Sequence, residues 1–103
     1  MVQAITADIS LPEDVLEFCS AHNLLPSLQS AMSIARESFA PIRRMTVELE
    51  VDPETGDETI AVQVGVPLAV EEALSRNRDC TKRWVQTASA EARGKIRLLF
   101  DLS

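Results

Sequence analysis

The chain has 103 residues but no tyrosine, one tryptophan, three phenylalanines and a single histidine. Proteins that read single-stranded nucleic acid stack bases on exposed aromatic rings, and so few rings leave little for such a platform once a core is built. There are two cysteines, Cys19 and Cys80, too few for a disulfide framework. The three glycines, Gly56, Gly65 and Gly94, are scattered, so no glycine-rich phosphate loop can form. No apolar run approaches the roughly 20 residues that a membrane span requires. The first ten residues, MVQAITADIS, carry neither the basic start nor the apolar centre of a secretory leader. Basic residues are scarce as well: 10 Lys and Arg stand against 16 Asp and Glu, for a net charge of −6. That balance runs against a dedicated binder of nucleic acid or of an anionic membrane surface. A cytoplasmic protein with reduced thiols, no membrane association and no cofactor-binding motif is the expectation.

What is present fits an ordinary globular chain, with 46% hydrophobic and 25% charged residues. No linker, repeat or low-complexity tract divides it, so residues 1–103 are read as one domain, in which 1–9 form a short edge strand or a loose terminus. Ser10 and Glu13 have the spacing of a capping box ahead of an apolar run, with Pro12 suited to a first turn. Val15, Phe18, Cys19 and His22 then share one helical face, and Asn23 suits the stop. A second helix runs from about Leu24–Pro26 to Phe39 on a stripe of Leu24, Leu28, Ala31, Met32, Ala35 and Phe39, and Ala40-Pro41 ends it.

The period then changes from helical to two. Met45, Val47, Leu49 and Val51 alternate with Arg44, Thr46, Glu48 and Glu50, and after the turn PETGD the apolar set is Ile60, Val62, Val64 and Val66. The two runs predict an antiparallel hairpin. A long third helix from Pro67-Leu68 to about Ala90 carries Val70, Ala73, Leu74, Asn77, Thr81, Trp84, Val85 and Ala88 on one side. Gly94 breaks that pattern, and KIRLLFDL is a last strand with Ile96, Leu98, Phe100 and Leu102 inward. The expected fold is α+β, in the order α-α-β-β-α-β. Its three-stranded antiparallel sheet has strand order 2-1-3 and carries all its helices on one face. The order 2-1-3 rests on charge: it sets Glu48 and Glu50 beside Arg97 on adjacent strands.

The charge is uneven along the chain, with net values of −4 over 1–42, −4 over 43–66 and +2 over 67–103. On the third helix Arg78 and Lys82 lie on one flank and Arg76 and Arg83 on the other. That pattern is the solvated border of a buried stripe more readily than a nucleic-acid surface. Cys19-x-x-His22 supplies two potential zinc ligands where a site needs three or four. The acids of the hairpin loop do not have the EF-hand spacing, and the nucleophile-elbow motif G-x-S-x-G is absent. Asn77 in mid-stripe needs a hydrogen-bond partner; together with Trp84 it suggests a pocket between helix and sheet.

The stretches PEDVLEFCSAHNLL, VELEVDPETGDETIAVQVGV and GKIRLLFDL resemble small acidic bacterial α+β proteins of about this length, a family to which no activity attaches. The resemblance spans less than half of the chain. It implies a bacterial cytosolic α+β domain and carries over no site residue.

The residues thus point to a noncatalytic interaction or regulatory module, a homodimer or the partner of another protein. Its contact surface is expected on the helix-free sheet face, at Glu48, Ala61, Gln63, Gly65, Arg97 and Leu99, where Ala61, Gly65 and Leu99 suit a covered patch better than a wet one. Strand two, Val-rich and without Lys or Arg, is the alternative edge for strand addition. A small-molecule or minor enzymatic pocket at Asn77 and Trp84 is the second reading. Nucleic-acid contact through Arg76, Arg78, Lys82 and Arg83 is the third.

Overall fold

The computed structural model describes residues 11–102. It contains α1 (Glu13–His22), α2 (Leu25–Phe39), β1 (Arg44–Val51), β2 (Glu58–Val66), α3 (Val70–Thr87), α4 (Ala90–Lys95) and β3 (Ile96–Leu102). The expected α+β class and element order hold, with the short α4 added before β3. The proposed capping residue Ser10 and the segment 1–9 lie outside the described residues. Pro12 occupies the N-cap of α1, so Glu13 is the first helical residue rather than the third as the capping box required. At the other end Asn23 takes the left-handed conformation (φ 56°) and its N–H returns to the Cys19 carbonyl.

β1 and β2 form the predicted antiparallel hairpin, with Val47 opposite Val62. Its turn is held by Asp52, whose Oδ1 accepts from the Glu54 N–H at 2.8 Å, while Gly56 (φ 79°) supplies the positive φ. The strand order differs from expectation. It is β1-β2-β3, and β3 runs parallel to β2, so the sheet is mixed and strand two is its centre rather than an edge. The connection explains this: a helical crossover as long as α3 and α4 returns the chain in the same direction, the geometry of a parallel neighbour.

One face of the sheet carries the core. Val47, Ile60, Val62, Val64, Val66 and Ile96 pack with Val15, Leu28, Ala31, Ile34, Ala35 and Phe39 of the helices, and Phe39 stacks on Phe100 with ring centroids 5.4 Å apart. The sequence stripe of α2 is right apart from Ile34, which is buried, and Met32, which is only half-buried.

The stripe of α3 is not buried as a whole. Ala73, Cys80 and Trp84 face the core, whereas Val70, Leu74 and Val85 remain 54%, 49% and 48% exposed. The helix also stops earlier than expected. It ends at Thr87, and Ser89 Oγ caps α4 by accepting from the Ala92 N–H at 3.1 Å.

Placing β2 at the centre makes a testable statement. The amides of Ile60–Val66 should be the slowest in the protein to exchange with deuterium; faster exchange there than at Val47–Leu49 contradicts the order β1-β2-β3. Leu28→Ala should cost about 2–5 kcal/mol in chemical denaturation, and Val51→Ala, at an exposed site, under about 0.5 kcal/mol.

Candidate functional site

The helix-free face of the sheet is the first surface to consider. The pairing register brings Arg44, Gly65 and Asp101 into one row, and Glu48, Ala61 and Arg97 into another. The central members of these rows are small, so charged arms from the two outer strands meet above β2. Arg44 Nη2 donates to Asp101 Oδ2 at 2.9 Å, and Gln63 Nε2 donates to the same oxygen at 2.7 Å. Arg97 reaches Glu50 at 3.5 Å. A Cβ on Gly65 would lie 3.2 Å from both the Arg44 Cγ and the Asp101 Oδ1, so the absence of a side chain there is what lets this bridge lie close to the strand. Ala61 is 4% exposed and Gly65 is buried beneath these arms. The residues expected to form an apolar patch are thus covered by ion pairs from within the same chain. Leu99 is half-buried and Glu48 exposed.

The electrostatic pairing read from the sequence does occur between Glu50 and Arg97, but across the central strand and not between neighbours. A small residue at position 61 allows a reach that the sequence reading assigned to direct adjacency.

The four basic residues of α3 separate into two groups. Arg76 donates to the carbonyl of Ala40 at 2.8 Å and pairs with Glu72 at 3.1 Å, and Arg83 pairs with Glu37 at 2.8 Å. Both tie α3 to α2 or to itself, and Arg76 covers carbonyls at the end of α2 that no helical N–H can reach. Arg78 and Lys82 lie on the outer flank, where with Leu74, Asn77 and Thr81 they line a shallow hollow of about 470 Å³.

Asn77 and Trp84 border two different hollows. Trp84, 6% exposed, belongs to a second hollow of about 310 Å³, in the corner between α3 and β3 with Val85, Ile96, Leu98 and Leu99. Thr81 borders both hollows. The two join along the outer side of α3, beside a β3 that pairs only with β2 among the described residues. Sequence reasoning missed this surface because it buried the whole α3 stripe. The available signal was the width of that stripe, which exceeds what one flank of a two-layer fold can cover.

His22 leans on Phe18 with ring centroids 4.4 Å apart. Among the described residues no group of three or more His, Cys, Asp or Glu is placed to hold a metal ion, and no helix is long and apolar enough to cross a membrane. Both cysteines are free and buried, and burial raises each thiol above its ordinary value. No family model matches this chain, and no curated protein or solved structure matches it significantly.

Two measurements check this assignment. Burial favours the protonated thiol, and alkylation needs the thiolate. Both cysteines should therefore resist iodoacetamide at neutral pH and react when denaturant is added; immediate labelling of the folded protein at either site contradicts their placement. Arg76→Ala should destabilise the fold by about 1 kcal/mol, because it strips the end of α2, and Arg78→Ala should stay within about 0.5 kcal/mol. Equal effects in thermal melts contradict the division of the basic residues.

Proposed function

We propose that the chain is a noncatalytic protein-interaction module whose contact surface runs along the outer side of α3 and the outer edge of β3, a strand that pairs only with β2 among the described residues. The observation that carries this reading is the conjunction of two features. Val70, Leu74 and Val85 expose apolar surface on one side of α3, and next to them β3 offers backbone groups that no other described strand takes up. Exposed apolar residues are ordinary when single, but grouped beside an open strand edge they suit coverage by another polypeptide. The bases Arg78, Lys82 and Arg93 border the same surface, so on an acidic chain this is the side that steers an acidic or mixed-charge protein surface.

The reading moves the contact surface from where the sequence placed it. Strand two is the centre of the sheet and cannot accept a further strand. The helix-free face has already satisfied most of its charge internally.

Capture from native extract on immobilised protein, after nuclease treatment, tests this. A stoichiometric protein, a second copy of the chain included, should bind to wild type and to Glu48→Lys, which lies on β1. It should be lost with Val85→Glu, at a site exposed enough to leave the fold within about 0.5–1 kcal/mol of wild type, and with Leu99→Lys, whose half-buried site calls for a melting curve showing that the variant is folded. Retention by all four proteins, or binding that disappears with the nuclease, overturns the reading.

A further inference from the structure

We propose that the occupant of this surface is a second copy of the chain, joined by antiparallel pairing of β3 with β3 across a two-fold axis at Leu99. The inference rests on the interaction reading above and names its partner.

Along β3, Arg97, Leu99 and Asp101 point to the helix-free face, and Ile96, Leu98, Phe100 and Leu102 to the core face. A two-fold axis makes an isologous contact, in which each residue meets its mirror position. Outward residues can meet outward residues only if the axis passes at a residue of the strand and not between two, because a one-residue slip sends every side chain to the opposite face. With the axis at Leu98, Arg97 faces Leu99 of the copy. With the axis at Phe100, Asp101 faces Leu99. With the axis at Leu99, Arg97 faces Asp101 of the copy and Asp101 faces its Arg97, while Leu98 meets Phe100 and Ile96 meets Leu102. That register alone places opposite charges directly across from one another, twice, and it also uses all seven residues of β3.

The groups concerned have capacity to spare. Asp101 Oδ2 takes both Arg44 and Gln63, and its Oδ1, buried against Gly65 without a hydrogen-bond partner, becomes available to a second guanidinium when the carboxylate turns outward. The Arg97 guanidinium has five N–H donors, and its intrachain ion pair is the long contact to Glu50 at 3.5 Å. Side chains at these two positions are 57% and 32% exposed, open enough to turn toward a neighbour.

A strand pair by itself falls short of the roughly 800 Å² per partner that a stable interface buries. The helix layer supplies the remainder. α3 lies at the β3 side of the fold, and the same axis turns it antiparallel to its copy. Its exposed residues Val70, Leu74 and Val85 then meet the same three from the other protomer. On the flank of this stripe Glu71 stands in the first turn of α3 and Lys82 in its second half, so the antiparallel arrangement sets each Glu71 toward a Lys82. The dimer so formed has a continuous six-stranded sheet under one layer of helices.

Charge exchange tests the register independently of stability. Arg97→Asp alone sets Asp against Asp twice, and Asp101→Arg alone sets Arg against Arg twice. Each should weaken self-association by roughly ten-fold or more. Mixed one to one, the two variants recover both opposite-charge pairs and should form a heterodimer close to wild type in affinity. Any intrachain damage from either change persists in the mixture, so damage cannot produce the recovery. Sedimentation equilibrium of wild type should give twice 11.3 kDa, and Leu99→Cys should give a disulfide-linked dimer on mild oxidation. Variants that fail to recover on mixing overturn the inference. So does a wild type that stays monomeric up to roughly 1 mM. A monomer with protected β3 amides likewise overturns it, because the edge is then covered within one chain. A monomer that still binds another protein through Val85 and Leu99 overturns self-pairing but leaves the interaction module standing; loss of both overturns both.

Discussion

Burial of β2 on both faces is the constraint from which the rest of the structure follows. A central strand has neighbours on either side and cannot expose either row of its side chains to water without cost. On the helix side this is met with Ile60, Val62, Val64 and Val66, which form the floor of the core. On the other side no described helix packs, and Ala61 and Gly65 are small enough for long charged side chains from β1 and β3 to close over them. The bridges Arg44–Asp101 and Glu50–Arg97 are therefore a roof as much as a set of ion pairs. Exposed pairs of this kind contribute little individually; their larger effect here is to keep water and foreign strands from the middle of the sheet.

This arrangement directs attention to the side of the molecule. With β2 enclosed and the open face covered, unsatisfied surface remains where the sheet ends. β1 ends beside exposed charge, at Arg44, Glu48 and Glu50. β3 ends beside the half of the α3 stripe that the two-layer fold leaves uncovered. A polypeptide seated there would gain backbone hydrogen bonds and apolar contact together, beside the bases Arg78, Lys82 and Arg93.

Much of this was legible in the residues. The hairpin and its turn, the α2 stripe, the stop at Asn23 and the inward set of β3 all follow from local periodicity and turn chemistry. The errors have a common origin. Of the expected trio only Glu50 and Arg97 pair among the described residues; contact does not require adjacency, and an arginine spans more than one strand spacing when the residue between is alanine. The near-continuous apolar run IAVQVGV was the better guide, because a strand buried on both faces loses its alternation. The α3 stripe was read as wholly buried because a helical pattern reports which residues share a side, and not how much of that side a neighbour covers. Asn77 and Trp84, seven residues apart, lie almost in line on α3, and about two turns along the helix axis separate the hollows they border.

The sequence by itself determined the elements, their order, the inward face of each strand and the uneven charge, since these depend on residues within a turn or two of one another. The tertiary structure decided which strand stands at the centre, which two stand at the edges and which half of α3 meets water. These depend on the parallel return of β3 through the α3–α4 crossover and on the reach of side chains across a neighbour, and neither is encoded in any single segment.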